Sequence, residues 1–423
     1  MINLQIVRFT PLAGFMVCIA LFWPGLLRPD SITQMQQGIS GTISDLHPPM
    51  LGFIFGIFNK IYNGPGPILL LDLALYWSAV AIFANTEKHK AKWYFLIAVF
   101  PPIIAYQLLI IKDIGFVNSY LFSCAWLHFY NFRQIKPSRS SLLIWLSIIF
   151  YGTACAYQAI IALPWLCLWL GKIYRPNNTR KWIYLSSITF VAIISAVTVF
   201  NKQMGTISNI GQHLKLYDIS GISIHLKKPV FPDYLTKNPK FDFERIKKLY
   251  NTARVDDLTF CPDTPLPPTN NQVELKELRY TWILAIAKHP IAYIKHRLGI
   301  FERQLTLSLL KTSEEIKGET PSTILKLITW IDGTWLFTIA KWLMACIIYV
   351  ILQIVFVYKG LKNFNKHQKY IALFFQNMSG LNLVTSLFFV AQASEARYAY
   401  LTIITCCFSL PLFIPTGKKD EIT

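Results

Sequence analysis

Apolar stretches close to the roughly 17–25 residues of a membrane-spanning helix recur along the chain. They fall at 9–27, 67–84, 93–111, 114–131, 142–156, 158–171, 182–200, 334–358, 370–391 and 399–415. The pattern predicts an all-α polytopic membrane protein with about ten transmembrane helices. One further apolar stretch, HPPMLGFIFGIFNKIY at 47–62, is short, opens on two prolines and contains Gly52 and Gly56. Between the seventh and eighth runs lies a polar, turn-rich segment, 201–330, which ends in YTWILAIAKHPIAYIKHRLGIFERQL at 280–305. There apolar and basic residues alternate with helical spacing, which predicts an amphipathic helix at the bilayer interface. Three regions follow: an N-terminal transmembrane module, 1–200, with a first outer loop at 28–66; an extracytoplasmic α-rich segment, 201–330; and C-terminal transmembrane helices, 331–423.

Charge orients this layout. Cytoplasmic loops are enriched in Lys and Arg. If 47–62 stays on one side, alternate loops collect seventeen Lys and Arg, against four (Arg28, Lys60, Lys112, Arg397) in the short loops between them. If 47–62 crossed, the bias would reverse, so it is expected to be a re-entrant or interfacial helix in the first outer loop. Only Arg8 precedes the first run and no small-residue cleavage site follows, so that run is expected to be retained as a span. The chain is 53% hydrophobic and 15% charged, with a net charge of +19. That surplus flanks apolar runs rather than forming one stripe, which argues against nucleic acid. Of eight Cys, only Cys261 lies in a long polar stretch, and the spacing gives no disulfide framework or zinc site.

With this topology the outward polar residues are Asp30, Ser31, Gln34, Gln37, Asp45 and His47 in the first loop; Lys112 and Asp113 in IKDIG; Tyr157 and Gln158; and Gln392, Glu395, Arg397 and Tyr398 in AQASEARYAY. Each has a structural alternative. Asp30 suits an N-cap for a helix over 31–39, and Asp45 a cap for 47–62. Lys112 and Asp113 suit an interfacial ion pair, and Glu395 suits an ion partner for Arg397. Taken together, the carboxylates, cations and one His suit sugar transfer from a lipid phosphate to a hydroxyl. A carboxylate can take the hydroxyl proton, and Lys and Arg can hold a phosphate leaving group.

The motifs WPG, PDSITQMQQG, DLHPP, IKD and EARYAY, with YDISGIS at 217–223, resemble the GT-C membrane glycosyltransferases. The likeness is best to a bacterial group related to the mannosyl- and aminoarabinose-transferring enzymes. The resemblance implies an enzyme of the bacterial cytoplasmic membrane, with its active site on the periplasmic or extracellular face. It would be an inverting transferase using a polyprenyl-phosphate sugar donor and a glycan or lipid acceptor. Asp30 would be the catalytic Asp of the first outer loop, serving as general base, and Asp113 the second acidic residue, in the next outer loop. Lys112 and Arg397 would lie at the donor phosphate; Asp45, His47, Gln158, Glu395 and Tyr398 would orient substrate. Lys295, His296 and Arg297 would guide a prenyl phosphate or anionic lipid. Some relatives bind magnesium or manganese between such acids, but no DxD or ExD is present here, so no cofactor is required by the motif. Two rival functions are a lipid-linked-glycan transporter or flippase, and an acyl- or phosphoethanolamine-type transferase centred on His47. Span interiors nearly free of charge, Asp72 and Lys341 apart, speak against transport.

Overall fold

The computed structural model describes residues 4–239, 241–260, 263–307 and 345–414. The described chain is nearly all helical, with one two-stranded sheet. It divides into two compact units. The first comprises the described residues of Met1–Thr206, Leu309–Leu383 and Ala399–Thr423. The second comprises those of Ile207–Ser308 and Val384–Tyr398.

The first unit opens with α1 (Leu4–Phe22), strand β1 (Leu26–Leu27), α2 (Pro29–Ser40), α3 (Pro49–Phe58) and α4 (Gly66–Thr86). Next come α5 (Ala91–Ala98), α6 (Pro101–Tyr106), β2 (Leu109–Ile110), α7 (Lys112–Arg133), α8 (Arg139–Cys155), α9 (Ala159–Tyr174) and α10 (Thr179–Met204). Helix starts follow local chemistry. Pro29 and Pro49 stand at first-turn positions, where a missing N–H costs nothing. Ser138 and Asn178 cap α8 and α10 by accepting from the N–H groups of Ser141 and Lys181. Helix α2 ends at Gly41, whose φ of 74° is left-handed.

The expected ten spans are not supported. Among the described residues four helices are long and apolar enough to cross a membrane: Gly66–Thr86, Thr179–Met204, Gln368–Val390 and Ala396–Phe413, the last including a 3-10 turn. Arg139–Cys155 and Ala159–Tyr174 are 17 and 16 residues long. At 1.5 Å per residue each reaches about 25 Å, short of a hydrocarbon core of about 30 Å. The run at 93–111 is not one helix. Pro101 and Pro102 divide it into α5, α6 and β2, because proline cannot continue the preceding helix. Residues 334–344 of the run at 334–358 lie outside the described residues, as do Lys341 and Cys261. From Cys346 its end forms α17 (Cys346–Lys362), followed by α18 (Gln368–Val390) and α19 (Tyr400–Phe413). Stretch 47–62 holds only the ten-residue α3, about 15 Å long.

Two contacts shape the first loop. Strands β1 and β2 pair in parallel, with Leu26 opposite Leu109 and Leu27 opposite Ile110. Helix α2 then lies against α3 through glycine. A Cβ on Gly38 would stand 2.1 Å from the Gly52 carbonyl oxygen and 2.9 Å from the Gly56 nitrogen. Only a residue without a side chain permits that approach, the logic of small-residue helix interfaces. Further along the chain, buried amides and hydroxyls join α17, α18 and α19. Gln353 donates to Thr405 Oγ1 at 2.9 Å, Gln376 to the Thr405 carbonyl at 2.9 Å, and Asn377 to Ser409 Oγ at 2.8 Å.

The second unit is built from α11 (Gly211–Leu226), the short helices α12 (Asp233–Thr236), α13 (Phe243–Leu249) and α14 (Asp256–Thr259), then α15 (Gln272–Lys288) and α16 (Pro290–Thr306). The single interfacial helix expected at 280–305 is two helices, broken where Pro290 follows His289. Segment 391–395 is threaded into this unit: Ser394 N donates to the Ala253 carbonyl at 2.7 Å, and Val255 N to that of Gln392 at 2.9 Å. His213 of α11 is buried, and its ring stacks on Phe260 with centroids 4.1 Å apart. Burial pushes its pKa down to about 4.

Two outcomes are expected. Gly38→Ala should part α2 from α3 and cost about 1–3 kcal/mol, as overpacking does. A melting temperature in detergent equal to wild type would refute the contact. His213 is neutral when folded, with a pKa near 4 against roughly 6.5 unfolded. Its contribution is therefore complete above about pH 6.5 and is lost as pH falls toward 4. Hydrogen exchange of α11 should accelerate over that window in wild type and less in His213→Phe; identical pH profiles would exclude this role.

Candidate functional site

The parallel strand pair decides where the first acids and cations meet. Each strand runs straight into a helix, β1 into α2 at Pro29 and β2 into α7 at Lys112. Parallel pairing therefore sets two helix N-termini side by side. Ser31 Oγ fastens them by donating to the Ile110 carbonyl. Asp30 falls in the first turn of α2 and Asp113 in the first turn of α7, where the helix dipole favours negative charge.

Lys112 is the junction. Its Nζ donates to His47 Nδ1 at 2.8 Å and lies 3.9 Å from Asp30 Oδ2. An ammonium only donates, so His47 accepts at Nδ1. The Lys112 side chain is 13% exposed and that of Asp30 32%. Asp113, buried, accepts from Gln158 Nε2 at 3.0 Å. Helix α2 is also tied to the loop carrying His47. Gln34 donates to the Pro48 carbonyl at 3.2 Å, and Gln37 to Ser44 Oγ at 3.1 Å. Asp45 is held through its backbone: its N–H donates to Thr206 O at 3.0 Å and its carbonyl accepts from Tyr157 OH at 2.7 Å.

Six of the sequence-selected residues (Asp30, Asp45, His47, Lys112, Asp113 and Gln158) thus belong to the first unit. Asp30, His47 and Lys112 meet there directly. Two structural alternatives are corrected. Helix α2 begins at Pro29 with Arg28 as its cap, so Asp30 stands inside the first turn and caps nothing. The cap of α3 is Pro48, not Asp45. Glu395, Arg397 and Tyr398 belong to the second unit. There Arg397 meets Glu395 with two nitrogens, at 2.6 and 3.3 Å, the pairing that their spacing had suggested. The Glu395 backbone is gripped by Gln304, which donates to its carbonyl at 2.9 Å and accepts from its N–H at 3.0 Å.

Deeper along α7 a neutral polar network continues from the site. Gln107 and Asn118 exchange hydrogen bonds of 3.1 and 2.8 Å. Asn118 also donates to the Asp72 carbonyl at 3.0 Å, and Gln107 to Tyr400 OH at 3.1 Å.

No three His, Cys, Asp or Glu side chains among the described residues come together as a metal site. Asp30 and His47 both face the Lys112 ammonium.

The sequence missed a second group of charges. In the second unit Asp218, from the YDISGIS stretch, is buried with His296 and Arg297. Arg297 lies 2.5 Å and His296 3.2 Å from Asp218 Oδ1, and Trp282 donates to Oδ2 at 2.9 Å. Tyr250 OH donates to His296 Nδ1 at 2.8 Å, and Arg297 donates to the Ala391 carbonyl at 2.7 Å. Burial pushes the His296 pKa down, against the pull of Asp218. His296 and Arg297 therefore do not face a lipid, as the helical spacing had implied; of that trio only Lys295 is exposed. A second buried group joins Glu87, Lys90 and His128, with Glu87 2.7 Å from Lys90 and 2.9 Å from His128. Burial raises the Glu87 pKa, but the two partners outweigh it and hold it at about 2.

The geometry defines a helical chain with membrane-length apolar helices and a polar cluster at two helix N-termini. No protein-family model, curated protein or solved structure matches the chain.

Asp218 gives a sharp test of the second unit. Asp218→Ala leaves a buried guanidinium without its carboxylate, which typically costs about 3–5 kcal/mol. Limited proteolysis should then cut within 207–307 at far lower protease levels than in wild type. Equal resistance would mean that the pair does not hold the unit.

Proposed function

We propose that the chain is an inverting glycosyltransferase of the bacterial cytoplasmic membrane, acting on its extracytoplasmic face. It moves a sugar from a polyprenyl-phosphate donor to a hydroxyl of a cell-envelope glycan or lipid. The observation that carries this reading is the meeting of Asp30, His47 and Lys112 in one partly exposed cluster.

The chemistry assigns each group a task. Asp30 takes the proton of the acceptor hydroxyl as its oxygen attacks the anomeric carbon. A new carbon–oxygen bond forms as the bond to the donor phosphate breaks, and polyprenyl phosphate leaves as an anion. Lys112 stabilises charge developing on the departing phosphate oxygens. His47, accepting from Lys112, keeps that ammonium directed into the cluster. Asp113, fixed by Gln158, orients the acceptor. One displacement at the anomeric carbon inverts its configuration. The multi-pass arrangement in this reading rests on the apolar runs, shorter helices included.

The contact of His47 with Lys112 also supports a second reading, an acyl- or phosphoethanolamine-type transferase centred on that imidazole. The two differ in which residue is indispensable. In purified protein given a panel of polyprenyl-phosphate sugars, Asp30→Asn should lower transfer by about 10²–10⁴-fold, the usual worth of a positioned base. Transfer unchanged in Asp30→Asn would overturn the glycosyltransferase assignment, and loss confined to His47→Ala would favour the second.

A further inference from the structure

Helix α7 runs 22 residues from Lys112, about 33 Å. Its far end opens on a cleft that plays no part in the proposed sugar transfer. The cleft has a volume of about 460 Å³ and lies wholly within the first unit. It is lined where the last turn of α7, the end of α9 and the start of α18 come together.

Its chemistry is one-sided. Lys172, Lys366 and His367 line it together with the amides of Asn177 and Gln368, while the Asn131 amide donates to the Gln368 carbonyl at 2.9 Å. No carboxylate lines it among the described residues. Cations together with amide donors suit an anion. The first turn of α18, a 23-residue helix beginning at Gln368, adds backbone N–H groups on the same wall. The carbonyl ends of the other helices, which would repel an anion, are partly engaged. At the end of α7 the N–H groups of Gln134 and Ile135 donate to the Asn131 and Tyr130 carbonyls, each at 3.3 Å, and at the end of α9 the Arg175 N–H donates to the Gly171 carbonyl at 3.0 Å.

Apolar surface adjoins the cations. Phe364, Ile173 and Ile371 line the same cleft. The Lys172 ammonium stands over the rings of Trp182 and Phe364, 5.3 and 5.5 Å from their centroids. A free phosphate ion would have no use for that surface, whereas a phosphate ester carrying acyl chains would cover it. A basic pocket between apolar helices is also the usual form of an anionic-headgroup site.

We infer that this cleft binds the headgroup phosphate of an anionic phospholipid. Lys366, His367 and the first turn of α18 meet the phosphate, Lys172 flanks it, and Phe364, Ile173 and Ile371 meet the glycerol and upper acyl chains. The site is distinct from the Asp30 cluster and does not depend on what that cluster does.

The test uses the full chain purified in detergent, with lipid retention followed by native mass spectrometry. Wild type should retain phosphatidylglycerol or cardiolipin over phosphatidylcholine, and excess inorganic phosphate should not displace them. The double variant Lys366→Glu, His367→Ala should bind at least about tenfold more weakly, since each Lys near an anionic headgroup is worth roughly fivefold and Lys366→Glu both removes a cation and adds an anion. Lys172→Met gives a second, independent lesion with the same expected direction. Lys181→Glu, an exposed reversal outside the cleft, should leave retention unchanged. Melting temperatures accompany each variant, so that loss of fold is recognised and the second lesion decides. Equal loss in Lys181→Glu, equal retention of phosphatidylcholine, or displacement by inorganic phosphate alone would each overturn the inference. The last outcome would assign the cleft to a free anion.

Discussion

Two residues of parallel pairing carry more of this structure than their size suggests. Leu26 and Leu27 lie beside Leu109 and Ile110. A parallel pair cannot be closed by a hairpin, so the chain between the strands must make a long excursion. Here that excursion contains α2 to α6. What the pairing returns is register: both strands end at the same edge, and each is followed at once by a helix. A slip of one residue would turn Leu26 and Leu27 to the opposite face and rotate the start of α2. Gly25 shows how tight the constraint is, with a φ of 96° and the Ile110 side chain within 2.8 Å of where a Cβ would stand.

The second constraint locks what the first aligns. Helix α2 is polar, and Ile32 and Ile39 on it are exposed. Apolar burial is therefore a weak source of grip on α3. Backbone contact across Gly38, Gly52 and Gly56 supplies van der Waals attraction, and the Gln34 and Gln37 hydrogen bonds add direction. This matters for chemistry because Asp30 and His47 lie on opposite sides of that contact, one at the start of α2 and the other just before α3. Their common approach to Lys112 is only as rigid as the glycine seam.

How far the sequence revealed this depended on the range of the interaction. Helical class, the short glycine-containing stretch at 47–62 and the polar character of the Asp30 loop were legible, because each is written in neighbouring residues. So was the Glu395–Arg397 pairing, at two residues' separation. Span count was not, because hydropathy does not register that Pro101 and Pro102 end a helix inside an apolar run. The β1–β2 pair was invisible: two residues show no period, and the partners are 83 positions apart. Asp218 and Arg297 were missed for a related reason. Helical spacing gave 280–305 a basic face but could not show that His296 and Arg297 turn inward to a carboxylate on another helix.

The two kinds of charge cluster explain one another. Asp218, His296 and Arg297 are fully buried, and Asp218 Oδ1 lies 2.5 Å from a guanidinium nitrogen. Such a pair serves the fold, and its desolvation is tolerated only while both partners remain. Asp30 differs in both respects. It keeps about a third of its side-chain surface open, and its nearest Lys112 contact is 3.9 Å, beyond a normal hydrogen bond. Lys112 turns its ammonium toward His47. Composition alone would rank the two clusters alike, as acid, base and histidine. Burial and distance separate them.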